Sequence, residues 1–116
     1  MEKVFISQPM SGLTQNQILE ERARMIEAFN DVFGGTNYFL DSFIKGAENV
    51  NPLFCLGHAI QELSKATIAI FAPNWEKSRG CRIEFNCCYE YDVKCYQAII
   101  DPETLEYHFL PMEVDA

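Results

Sequence analysis

The chain has 116 residues, of which 48% are hydrophobic. That is enough for one domain, spanning 1–116, with a single core, and it argues against disorder. The formal charge of −8 disfavours a nucleic-acid polymer as partner, because such binders need a broad basic surface, while a small anion needs only a local cluster of donors. No apolar run approaches the roughly 20 residues of a membrane span, and Met1-Glu2-Lys3-Val4 lacks a signal peptide's apolar core. A cytoplasmic protein with no membrane partner is expected.

Lys3 to Ser7 is a short apolar run ending in turn chemistry, Gln8-Pro9-Met10-Ser11-Gly12. It predicts a buried first strand. The turn is neither G-x-G-x-x-G nor a Walker loop, and by itself a Ser/Gly turn is a common strand-to-helix device. Thr14 and Gln17 form a capping box. Ile18, Met25, Ile26, Phe29, Val32 and Phe33 then give a helical stripe that Gly34-Gly35 stops. Arg22 and Arg24 read as surface charges. Asn37 to Leu40 is a second strand, with Asp41 at its end placed either to meet a ligand's hydroxyls or to cap the next turn with Ser42. Phe43 to Asn51 has no clean period and is expected to be a mobile loop near the site.

Pro52 opens a second helix with an inner stripe of Leu53, Leu56, Ile60 and Leu63. His58 lies off that stripe, as a structural or solvated histidine or as a general acid or base. Ala66 to Ala72 is the third strand, and Gly80 to about Asp92 a third helix. Tyr96 to Ile100 is the fourth strand. Tyr107 to Leu110 either adds a short strand or packs against a partner subunit. The five cysteines form no C-x-x-C pair, and a zinc site with His58 and His108 is poorly spaced. Free thiols packed as small core residues fit better, and neither metal nor cofactor is expected.

This β-α order predicts an α/β flavodoxin/Rossmann-like three-layer sandwich with a mostly parallel four- to five-stranded sheet. In such sheets ligands bind where the strand order reverses, here between the turns after the first and third strands. That brings Ser7, Gln8, Met10, Ser11 and Gly12 opposite Asn74, Trp75, Ser78, Arg79 and Gly80. Glu84 follows one turn into the third helix. At about 100° per residue its neighbours are Gly80, Cys81, Cys87, Cys88 and Tyr91, an inward face. A buried carboxylate is either paired structurally or has a task. Trp75 either stacks on a base or packs at a dimer interface.

Lys3 to Gly12 and Asn74-Trp75-Glu76-Lys77-Ser78-Arg79-Gly80-Cys81-Arg82-Ile83-Glu84 together resemble the nucleoside 2-deoxyribosyltransferase-like superfamily. The chain looks most like its small bacterial and phage branch, the DUF4406 group, over residues 3 to 100. The resemblance implies a homodimer or larger assembly and chemistry at the N-glycosidic bond of a nucleoside or nucleoside 5′-monophosphate. It implies that Glu84 is the nucleophile, attacking the anomeric carbon, with water then giving hydrolysis and another base giving transfer. Where the nucleoside transferases place an Asp against the sugar 5′-hydroxyl, this chain has Ser78, as in relatives that accept monophosphates, since Asp would repel a phosphate. Two helpers of the family are replaced. Phe5 stands for a Tyr that bonds the nucleophile, and Ala59 for an Asp that serves the leaving base. His58 and Asp41 are the candidate substitutes. Three readings stay open: a Glu84 enzyme, a nucleotide-binding or sensing protein that has lost the acid, and a structural or interaction module.

Overall fold

The computed structural model describes residues 1–44 and 51–112. Their order is β1 (Lys3–Ser7), α1 (Gln15–Phe33), β2 (Tyr38–Phe39), α2 (Pro52–Leu63), β3 (Ile68–Phe71), α3 (Arg79–Glu90), β4 (Lys94–Ile100) and β5 (Tyr107–Met112). A single 3-10 turn, Trp75–Lys77, sits between β3 and α3. The five strands form one sheet in the order β2-β1-β3-β4-β5. β1 to β4 run parallel, and β5 returns antiparallel along β4. The fold is an α/β three-layer sandwich of the flavodoxin or Rossmann kind.

The layers follow from side-chain alternation along the strands. Val4 and Ile6 on β1, with Ile68 and Ile70 on β3, face Met25 and Phe29 of α1. Phe5, Ala69 and Phe71 face the other way, onto Ala59 and Leu63 of α2 and Cys88 of α3. Burial on both faces explains why β1 and β3 read as unbroken apolar runs. The helix ends carry their own signals. Thr14 and Gln17 close a full capping box on α1, and Gly34 ends that helix at φ 71°, a left-handed conformation that suits glycine. Asn51 caps α2 by accepting from the Leu53 N–H, with Pro52 in the first turn.

Several expectations shift. The inner stripe of α2 is rotated: Leu53 is 73% exposed, and Ala59 and Leu63 are the residues that pack inward. Val32 is likewise on the outside of α1. Arg22 is not a free surface charge. Its Nη2 donates to the Leu40 carbonyl at 2.6 Å, tying α1 to the end of β2. β4 starts two residues earlier than the apolar run suggested, at Lys94. Tyr107 to Leu110 is strand, the first part of β5. Of the loop expected over 43–51, residues 45–50 lie outside the described residues. Among the described residues no helix is long and apolar enough to cross a membrane.

Candidate active site

The site begins with strand register. Strand order reverses at β1: the first crossover goes to β2 on one side, the second returns to β3 on the other. Ser7 stands beside Phe71, and the Ala72 N–H donates to the Ser7 carbonyl at 2.9 Å. The carboxyl ends of β1 and β3 therefore finish side by side, and both following turns open on the same crevice. A cavity of about 670 Å³ occupies it.

Each turn is fixed locally. After β1, the Leu13 N–H closes a turn onto the Met10 carbonyl at 3.1 Å, with Gly12 at φ 80°. Gln8 is buried, and its Nε2 donates to the Ile18 carbonyl and to Glu21 Oε1, both at 3.1 Å. Its amide hydrogens are thus engaged in anchoring the turn to α1. After β3, Asn74 takes a left-handed conformation and starts the 3-10 turn. Ser78, in extended conformation, then caps α3: its Oγ accepts from the Cys81 N–H at 3.3 Å. Helix geometry leaves the Arg79 and Gly80 N–H groups without an intrahelical acceptor. A Cβ added at Gly80 would meet nothing within 4 Å, so the space above that helix start is open.

Glu84 lies on the inward face of α3 with Cys81 and Cys88. It is only 7% exposed yet lines the cavity. Ser7, itself 1% exposed, donates its hydroxyl to Glu84 Oε1 at 2.6 Å, a short, charge-assisted bond when the carboxylate is ionised. Burial pushes Glu84 up to about 7, and the Ser7 hydroxyl pulls it back only in part. Both ionisation states are therefore populated near neutrality. The nearby thiols do not compete as nucleophiles. Burial raises Cys81, and the bond to Cys95 together with burial raises Cys88, so both stay protonated.

The sequence-selected residues divide into two sets. Gln8, Met10, Ser11, Gly12, Ser78, Gly80 and Glu84 line the cavity, and Ser7 touches it through Glu84. Asn74, Trp75, Arg79, His58 and Asp41 do not line it. Asn74 and Arg79 are exposed. The Trp75 ring packs against Phe71 at 5.2 Å and Phe85 at 5.0 Å, so in this chain it is part of the hydrophobic layer under β3. His58 Nε2 donates to the Asp41 carbonyl at 3.1 Å, and that pair sits beside a separate shallow depression with Phe54, Gly57 and Gln61.

The segment from Phe43, expected near the site, does reach it, but its part in an apolar cavity wall, and that of α2, was not foreseen. Phe43, Ile44, Cys55 and Leu56 line it from the segment after β2 and from α2, with Leu13 and Ile18 from the start of α1. The apolar pair Phe43-Ile44 within an otherwise aperiodic stretch was the available signal. Phe5 and Ala59 line the cavity as well, so two positions singled out for lacking polar groups do face it. Among the described residues no cluster of three or more His, Cys, Asp or Glu could hold a metal ion. Comparison of the chain with protein-family models, with curated proteins and with solved structures finds no match.

Proposed function

We propose that the chain is an N-glycosidic bond hydrolase or deoxyribosyltransferase-like enzyme, cytoplasmic, acting on nucleosides or nucleoside 5′-monophosphates through Glu84. The observation that carries this reading is a buried carboxylate facing a ligand-sized cavity, with Ser7 fixing one of its oxygens. A carboxylate is expensive to bury without a partner cation, and no cationic side chain bonds Glu84 among the described residues. Glycosyl transfer passes through an oxocarbenium-like state, which a carboxylate on one face stabilises and can trap covalently. With Glu84 pushed up to about 7, part of the population is ionised and able to attack at neutral pH. A 5′-phosphate fits the start of α3, where Ser78 Oγ and the Arg79 and Gly80 N–H groups offer donors and the helix dipole favours an anion. The resemblance to the nucleoside 2-deoxyribosyltransferase-like superfamily points the same way and implies an assembly of two or more copies.

A second reading has its own observation. Phe5 and Ala59 leave the cavity wall without the hydroxyl and the acid that would assist a nucleophile, which suits a nucleotide-binding or sensing protein. One experiment separates the two. Purified protein is incubated with ribo- and deoxyribonucleosides and their 5′-monophosphates, and free bases are resolved by chromatography, with Glu84→Gln in parallel. Release by the wild type and not by the variant is expected. Monophosphates that raise the melting temperature with no release from any compound would replace the enzyme by the binding protein.

A further inference from the structure

We infer that the N-glycoside this cavity takes carries a cationic heteroaromatic base, a pyridinium or an N-alkylated purine, which departs without being protonated. The inference rests on the reading of Glu84 as nucleophile and adds the class of leaving group.

The first argument is about protons. A neutral base leaves as an anion unless an acid protonates it, and such help is worth about 10²- to 10⁴-fold. Among the described residues lining the cavity, Glu84 is the only carboxyl group, and no histidine, lysine, arginine or tyrosine joins it. Glu84 cannot attack the anomeric carbon and protonate the base in the same step. The buried amide of Gln8 has its hydrogens engaged by Ile18 and Glu21. Thr14 Oγ accepts from the Gln17 N–H, and an aliphatic hydroxyl is in any case too weak an acid to protonate a departing base. A cationic base removes the requirement. Its ring nitrogen already carries the charge that the departing electron pair cancels.

The second argument is about the cavity's field. Its wall is apolar, built by Phe5, Ile18, Phe43, Ile44, Leu56 and Ala59, around one potential negative charge. An anion in such a setting, with no lining cation among the described residues, favours a ligand that supplies the positive charge. A planar cation also suits a cavity lined by the aromatic rings of Phe5 and Phe43. Its arrival opposes the effect of burial on Glu84 and shifts that carboxyl toward the ionised, nucleophilic form.

The step balances without further groups. A Glu84 oxygen forms a bond to the anomeric carbon as the carbon–nitrogen bond breaks, and the electron pair returns to the ring nitrogen, releasing a neutral base. Water then attacks the same carbon, Glu84 departs as a carboxylate, and the proton of the water passes to solvent.

The test compares nicotinamide mononucleotide and N7-methylguanosine 5′-monophosphate with AMP and GMP, reading free base for wild type and Glu84→Gln. N7-methylguanosine 5′-monophosphate and GMP differ by one methyl group and the charge it brings. The two cationic compounds are expected to be cleaved with kcat/KM at least about 100-fold above their neutral counterparts, the loss an enzyme without an acid suffers on neutral bases, and Glu84→Gln abolishes both. AMP or GMP cleaved through Glu84 as fast as the cationic pair would overturn the inference and leave the Glu84 reading standing. Release of base from none of the four would overturn the inference, and the Glu84 reading falls with it only if no nucleoside or deoxyribonucleotide releases base either.

Discussion

Glu84→Gln should make the protein more stable at alkaline pH and leave it nearly unchanged at acidic pH. The carboxyl group has an ordinary value of 4.5 and is pushed up to about 7 in the folded chain. Below 4.5 it is protonated whether the chain is folded or not, and it contributes no penalty. As pH rises toward 7 the unfolded chain ionises first, so folding must hold back a proton, and stability falls until the folded group also ionises. The gap corresponds to about 3.5 kcal/mol at about 1.4 kcal/mol per pH unit, most of it lost between about pH 4.5 and about pH 7. Glutamine has the shape of the protonated acid and never ionises. The difference between the two proteins therefore isolates this one group, because His58, His108 and the other titratable side chains are common to both, and the thiols of Cys81 and Cys88 beside Glu84 stay protonated in this range. The assay is urea unfolding of both proteins from about pH 5 to about pH 8.5, reading ΔG from the midpoint and slope. Glutamine should gain on glutamate up to about pH 7, where the folded carboxyl itself ionises, and then hold a level advantage of about 3 kcal/mol. A difference that does not change with pH, or one that grows in favour of glutamate, would refute the assignment of Glu84 as an uncompensated buried acid.

Ser7→Ala removes the hydroxyl that lowers Glu84. A hydrogen bond to a charged group contributes about 1.5 to 3 kcal/mol, so the carboxyl should titrate about one to two units higher, and the acidic limb of base release, where the nucleophile becomes protonated, should move up with it; Ser7→Thr, which keeps the hydroxyl, should restore the profile. Gly80→Ala puts a methyl group into open space at the start of α3. It should leave stability unchanged or raise it by up to about 1 kcal/mol, while weakening monophosphate binding measured by calorimetry; an undiminished affinity would show that no ligand approaches that turn. Trp75→Ala should cost about 3 to 5 kcal/mol, as the loss of a ring packed between Phe71 and Phe85 does in a core. Trp75→Phe should fold and bind monophosphates as the wild type does, whereas a selective loss of binding would mean that the indole contacts the ligand.

What could be read from the sequence was what local rules encode. The capping box at Thr14 and Gln17, the Pro52 start and the buried runs of β1 and β3 depend on neighbours a few residues away. The inward placement of Glu84 followed from helical periodicity alone, and the convergence of two turns followed from a parallel sheet whose order reverses. The rest depends on contacts distant in the chain. Arg22 reads as an ordinary surface charge until the Leu40 carbonyl comes to meet it. Trp75 reads as a residue for stacking on a base or for a dimer interface until Phe85 packs on it from α3. The stripe of α2 was misplaced because Leu53 and Phe54 are apolar yet exposed, while small Ala59 does the inward packing. Hydrophobicity cannot rank those positions without knowing which side of the helix meets the sheet.

The Ser7–Glu84 bond also bears on how the chain folds. Its partners are 77 residues apart, so it cannot form until β1 has been flanked by β3 and α3 has docked behind them. Local helices such as α1 can form early, whereas pairing β1 with β3 requires closing a long loop, which is slow relative to helix formation. During synthesis β1 emerges first and must wait for the residues that cover Val4, Phe5 and Ile6. The carboxyl group is thus taken out of water in the same late step that completes the centre of the sheet. A fragment lacking either β1 or α3 would lose the cavity together with the core, so the buried, Ser7-bonded state of Glu84 exists only in the fully assembled fold.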